Sequence, residues 1–279
     1  MLQGLTTAGL GKIDSNSHFI ELASRYHFQS VDLEAADLIK ELGAEQAVER
    51  LGELKLSIGS MGLPVEWRAD EEEFLKGITK LPAAAEAAAA LGCTRCCTYI
   101  LPSTDLPAAH FMAIATKRLR ICADILGAYG IRLGLEFVGP HHLRTRWNNP
   151  FIWTLRETLD WIDAIHEPNV GLLLDSYHWY TNELQVCDIM QLRPEQIVHV
   201  HINDAKDLPV EEVLDNDRLF PGEGVIDLAG FLKGLHDIGY QGPVSQEILT
   251  PSTPSDSPES LVLRSRQAFD KVFKAAGLK

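Results

Sequence analysis

The sequence predicts an α/β fold in which eight parallel strands, each followed by a helix, close into a single-domain (β/α)8 barrel over residues 1–279. Three observations point there. Short apolar, β-rich runs alternate with longer helix-like stretches from one end of the chain to the other, the pattern of parallel strands joined by crossover helices. Eight such runs fit within 279 residues, the usual size of one closed barrel. No linker divides the chain: the nearest candidate, TPSTPSDSPES at 250–260, is short and reads as the last strand-to-helix loop, with Ser257 or Ser260 starting the final helix.

Taken in order, the first strand covers 2–7 (LQGLTT) and leads to a helix over 17–27. The second and third cover 30–34 (SVDLE) and 56–61 (LSIGSM). The stretch 70–91, with its AAAEAAAALG run, predicts a helix because alanine and leucine are strong helix formers, and Gly92 stands where that helix must stop. A fourth strand follows at 95–101 (RCCTYIL), then a helix over 108–129 that Gly130 ends, then a fifth strand at 131–137 (IRLGLEF). The sixth, 170–175 (VGLLLD), is apolar until Asp175, as expected of a strand covered on both faces. The seventh and eighth cover 197–203 (IVHVHIN) and 243–248 (PVSQEI). The phrases ELGAEQ, ALGCTR, AYGIRLG and DIGYQG repeat one theme of helix end, glycine and next strand.

Composition narrows the function. With 46% hydrophobic and 23% charged residues the chain can bury a core without staples. A net charge of −14 weighs against a nucleic-acid partner, because phosphate backbones are held by clustered Lys and Arg. Of the five cysteines, three lie in CTRCC, a CxxC with no second CxxC after it. They read as reduced, buried thiols, with a zinc knuckle as the alternative. The N-terminus MLQGLTTAGLGK lacks the pattern of a signal peptide and no apolar run reaches 18 residues, so the expectation is a cytoplasmic protein with no membrane partner.

In barrels of this kind function gathers at the C-terminal ends of the strands. The first four end on TTA, LEA, SMGLP and YILPS, where Glu34 is the one charge. The last four end RLGLEFVGP, GLLLDSYH, VHVHINDA and PVSQEIL, which brings up Glu136, Asp175, His201 and Glu247. A carboxylate closing a buried strand, such as Asp175, is costly unless something pairs with it, so it either caps the next element or holds a ligand. A lone histidine on a strand is commonly a packed core group. Three carboxylates and one imidazole on four consecutive strands predict instead a site for one divalent metal ion, and the oxygen-rich set suits Mn²⁺, Mg²⁺, Co²⁺ or Zn²⁺. His199 and His201 share one side of their strand; His201, nearer the mouth, is the ligand choice, while His199 lies a layer deeper.

The segments LGLEFVGP, VGLLLDSYHWY, HINDAKDLP, DRLFPGEGVIDL and LHDIGYQGPVSQEI resemble the xylose isomerase-like TIM barrel family of sugar phosphate isomerases and epimerases, and within it the inosose isomerase type of inositol catabolism. The likeness in motifs covers roughly residues 131 to 250; before that it rests on strand–helix rhythm. It implies one divalent metal ion on Glu136, Asp175, His201 and Glu247, with Glu136 and Glu247 as the acid/base pair. It also implies substrate contacts from His178 and Arg218, a small sugar or cyclitol as substrate, and a homo-oligomer. The reaction it implies removes a proton from a carbon beside a carbonyl while the ion stabilises the enediolate.

One departure matters. Ketose 3-epimerases carry a further Glu six residues after the first metal Glu, where this chain has His142 in GPHHLRTRWNNPF. That moves the expectation from ketose epimerisation toward an inosose or other keto-sugar. His142 and Trp147 of this loop are candidate substrate contacts, and Arg144 and Arg146 make it either a seat for an anionic sugar or a solvated rim. Trp67, Trp147, Trp179 and Tyr180 are read either as sugar-stacking rings or as rim packing.

Three other functions compete. Abasic-site endonucleases share the Asp-x-x-His pattern but need extra histidines on the early strands, which end here without any. A lyase or dehydratase would use the same metal and base and differ only in the fate of the enediolate. A non-catalytic sugar-binding barrel has no use for an intact acid/base pair.

Overall fold

In the computed structural model, which describes residues 1–278, the alternation becomes a ring of parallel strands wrapped by helices. The strands are β1 (Leu2–Leu5), β2 (Ser30–Val31), β3 (Ser57–Ile58), β4 (Met61–Gly62), β5 (Arg95–Ile100), β6 (Arg132–Phe137), β7 (Val170–Asp175), β8 (Ile197–Ile202) and β9 (Pro243–Gln246). They hydrogen-bond in the order β3-β2-β1-β9-β8-β7-β6-β5-β4, and every pairing is parallel.

The two ends of that order are consecutive pieces of chain. The single strand expected at 56–61 is split, with β3 pairing β2 and β4 pairing β5, so the barrel closes through the covalent link at Gly59 and Ser60. The cause is local. A Cβ on Gly59 would stand 2.4 Å from Asp32 Oδ1, so the backbone passes over that carboxylate only because residue 59 has no side chain. β2 is likewise shorter than 30–34, and Glu34 opens the helix Ala35–Leu42.

The helices expected at 17–27, 70–91 and 108–129 are Asn16–Arg25, Glu71–Ala90 and Ala108–Ala128. Ser15 and Asp70 cap the first two by accepting from the backbone N–H of His18 and Glu73, and Glu71, Glu72 and Glu73 add negative charge where the helix dipole favours it. Gly92 (φ 74°) and Gly130 (φ 72°) take the left-handed conformation that follows a helix end. Ser257, and not Ser260, caps the last helix, Pro258–Ala275.

β7 is buried along its whole length between the barrel interior and the helix layer. Trp67 belongs to that outer core and is no sugar platform: it is fully buried, stacks on Phe111 at 5.9 Å and donates its indole N–H to Thr98 Oγ1. The five cysteines are free, and the two clusters of candidate metal ligands among the described residues contain none of them, which leaves the zinc-knuckle alternative unsupported. No helix of the described residues is long and apolar enough to cross a membrane.

Candidate metal centre

At the C-terminal mouth of the barrel, Glu136 from β6, Asp175 from β7, His201 from β8 and Glu247 just after β9 each offer one ligand atom, all within 4.8 Å of one another. His201 Nδ1 lies 3.9 Å from Glu136 Oε1 and 3.5 Å from Glu247 Oε2. Asp175 caps the next element: its Oδ1 accepts from the Tyr177 N–H at 2.6 Å at the start of the short helix Ser176–Thr181, while Oδ2 accepts from Arg218 Nη1 at 2.9 Å. Asn203 Nδ2 donates to Asp175 and to the Glu247 carbonyl at 3.1 Å, tying the ends of three strands together.

The electrostatics of the cluster are those of a site short of positive charge. Burial pushes the Glu136 carboxyl well above the usual range, and the negative charges of Glu247 and Asp175 push it further. Burial also acts to raise Glu247, but the positive charges of His201 and Arg218 prevail and hold it at about 2. His201 is raised well above its ordinary value because Glu247 and Asp32 outweigh its burial. Glu136 Oε1 and His201 Nδ1 are buried with no hydrogen-bond partner among the described residues. Two unpartnered polar atoms facing each other beside two further carboxylates form a set that, once its protons are given up, fits a divalent cation.

Arg218 is not among the residues that line the cavity above the cluster; it reaches across the cluster. Its Nη1 lies 2.9 Å from both Asp175 Oδ2 and Glu247 Oε2, and Nη2 bonds Asp215 at 2.8 Å. The loop that carries it is held by Asp204, whose two carboxylate oxygens accept from the N–H groups of Ala205, Gly222, Gly224 and Ile226. His178 is buried and its Nδ1 accepts from the Gly139 N–H at 3.3 Å, which leaves Nε2 3.9 Å from Glu136 Oε1. Burial lowers its proton affinity, so it stands neutral at pH 7.

Above the cluster opens a cavity of about 380 Å³ with Glu136, His201 and Glu247 on its floor and Thr7, Asn16, Glu34 and Tyr99 among its walls. No Lys or Arg is among the described residues that line it. His142 and Trp147 do not line it either. His142 sits on the short helix His141–Arg144, and the Trp147 N–H bonds Ser103 Oγ on the outer loop. Of the loop's two arginines, Arg144 donates to the carbonyls of Gly139 and Thr181, and Arg146 lies over Trp147.

Strand-end reading passed over Asp32. It lies one residue past β2, lines the cavity floor and contacts both His199 and His201. Burial acts to raise its carboxyl, but the two imidazoles prevail and hold it well below the usual carboxylate range. A signal existed: Asp32 and Glu34 have the i, i+2 spacing that puts both on one face of a strand.

The profile of the xylose isomerase-like TIM barrel family matches residues 18–272. The chain belongs to that family. An inosose isomerase from Bacillus velezensis is 31% identical over 150 residues, 54% of this chain and 51% of that one. A 3-dehydroshikimate dehydratase from Pseudomonas aeruginosa is 32% identical over 138 residues, 49% of this chain and 20% of that much longer one. The chain thus spans about half the length of the inosose isomerases it matches. Among solved structures, a xylose isomerase domain protein from Alicyclobacillus acidocaldarius superposes with a TM-score of 0.91 at 34% identity, covering 99% of both chains. The IOLI protein, solved with a zinc atom, shares the fold at a TM-score of 0.82 and 22% identity, again over 99% of both chains. Within this xylose isomerase-like barrel, the four convergent side chains come from β6, β7, β8 and the residue just after β9, four neighbours in the ring.

Proposed function

We propose that this protein is a divalent-metal-dependent isomerase or epimerase of an uncharged keto-sugar or inosose, with Glu136 and Glu247 as its acid/base pair. The observation that carries the reading is the convergence of Glu136, Asp175, His201 and Glu247, three of which, Glu136, His201 and Glu247, line one cavity. The names of the inosose isomerase and ketose epimerase relatives support it. A divalent ion on those four side chains would supply fixed positive charge where negative charge develops on the oxygens of the reacting ketone.

The rest of the chemistry falls to the chain itself. Glu136 and Glu247 both line the cavity, from strands separated by β7 and β8. One carboxylate takes the proton from the carbon beside the carbonyl, and a proton returns from the other to the neighbouring carbon or to the opposite face. Each such group typically contributes about 10²–10⁴ in rate. Arg218 keeps Glu247 ionised and in place, and neutral His178 offers a hydrogen-bonding nitrogen beside Glu136. Glu34 in the wall and the absence of Lys and Arg from the described lining favour a polyhydroxylated, unphosphorylated ring.

The test is a panel of inososes and ketohexoses incubated with the metal-loaded protein in D₂O. Deuterium in the recovered isomer supports the reading. Exchange accompanied by loss of water would make the protein a dehydratase, the chemistry for which the Pseudomonas relative is named. No exchange into any keto-sugar, together with nicking of abasic DNA, would overturn the reading altogether.

A further inference from the structure

A second cluster adjoins the four convergent residues through His201 and adds Asp32 and His199, which the proposed reaction does not use. Asp32 Oδ2 stands 2.7 Å from His199 Nε2 and 3.2 Å from His201 Nε2, and Ser245 Oγ donates to Asp32 Oδ1 at 3.0 Å. Asp32 and His201 are reached from the cavity, and strand backbone crowds the cluster from its other sides. A Cβ on Gly59 would collide with Asp32 Oδ1 at 2.4 Å, and one on Gly4 would collide with Ser245 Oγ at 2.5 Å. The carboxylate is therefore held on one side by a hydroxyl and on the other by backbone that has room for nothing larger than glycine.

An ionised carboxylate only accepts hydrogen bonds, so each imidazole must turn an Nε2–H toward it. For His201 that choice decides the other side of the ring. With a cation bound, the remaining proton is held on Nε2, and Nδ1, the atom 3.9 Å from Glu136 and 3.5 Å from Glu247, is the nitrogen that would give up its proton and offer its lone pair. We infer that Asp32 is a positioning residue of the metal centre: through its bond to Nε2 it fixes the orientation and tautomer of His201, and it is itself steadied by His199 and Ser245. The inference rests on the reading that Glu136, Asp175, His201 and Glu247 hold an ion, and it adds a residue from the half of the barrel that supplies none of them. A partner of this kind typically governs about 10–100-fold in metal affinity.

The same geometry has a competing use. Asp32, His199 and His201 also bring three ligand atoms within 4.8 Å of one another, so a second ion in place of the two N–H protons is the alternative to be excluded.

The experiment is a titration of this 279-residue chain with Zn²⁺ against a chromophoric chelator, for wild type, Asp32→Asn and Ser245→Ala, with ¹H–¹⁵N spectra of the histidine rings in the zinc-loaded forms. The expected result is one ion per chain and a wild-type spectrum with His201 protonated on Nε2 and ligated through Nδ1. Asp32→Asn should weaken binding by about 10–100-fold and Ser245→Ala by less. Ser245→Ala keeps the carboxylate and removes one hydrogen bond, so it reads the same effect if Asp32→Asn fails to fold. If wild type binds one ion and both variants bind it within about threefold of wild type, far short of that expected loss, the role of Asp32 is overturned while the metal centre stands. Two ions per chain would overturn it by giving Asp32 to the second. No ion bound by wild type would remove the metal centre and this inference together.

Discussion

Arg218 Nη1 lies 2.9 Å from Asp175 Oδ2, and neither side chain is more than 1% exposed. The same nitrogen bonds Glu247, so one guanidinium sits against two carboxylates of the proposed ligand set. Removing it leaves buried Asp175 without its cationic partner and Glu247 with His201 alone. Arg218→Met should therefore destabilise the metal-free protein by about 3–5 kcal/mol, the usual cost of breaking a buried ion pair from one side. A divalent cation should restore part of the loss, because it neutralises the same oxygens. Thermal melts with and without Mn²⁺ check this; a variant as stable as wild type without metal would contradict it.

Asp204 is the anchor of the loop that presents Arg218. Its carboxylate is fully buried and accepts from four backbone N–H groups. Asp204→Ala leaves those donors without their acceptor and should cost at least about 3 kcal/mol. Urea midpoints measure the loss. Amide exchange should show Gly222, Gly224 and Ile226 losing protection first.

The buried thiols give a pH prediction with a definite sign. Burial raises Cys93 from its ordinary 9.0 to about 11 and Cys122 to about 12, and pushes Cys96 and Cys97 well above their ordinary value. Folded-state values above unfolded ones mean that the folded chain holds these protons more tightly. Their contribution to stability is full below about pH 9 and is lost as pH rises toward 11 and 12. Iodoacetamide at pH 8 should modify exposed Cys187 alone in the folded protein and all five cysteines in urea. Mass spectrometry of the labelled protein decides it; rapid labelling of Cys97 in the folded state would show that the cavity admits reagent to a thiolate.

How much of this could be read from the chain depends on how local each cause is. Glu136, Asp175, His201 and Glu247 stood out because each interrupts or ends an apolar run on a strand long enough to be recognised, and strand order then brings them together. Asp32 did not stand out, because β2 is two residues long and its bond to His201 spans 169 positions. The break at Gly59 was invisible for the same reason: only the packed carboxylate of Asp32 makes a glycine necessary there. His142, Trp147 and the arginines between them looked chemical by composition, but the path of the loop after β6 directs them to backbone carbonyls and to one another. Arg218 sits where the motif led one to look, with its contacts turned toward Asp175 and Glu247.

The most direct test of the account is the rate of solvent deuterium entry into the carbon beside the carbonyl of a turned-over inosose or ketose, for wild type and for Glu247→Gln under saturating Mn²⁺. The amide keeps the size of the side chain and removes the proton acceptor. The account predicts deuterium entry with wild type and a loss of about 10²–10⁴ in the variant, which should still take up the metal ion at reduced affinity. Exchange at the wild-type rate in folded Glu247→Gln would contradict it.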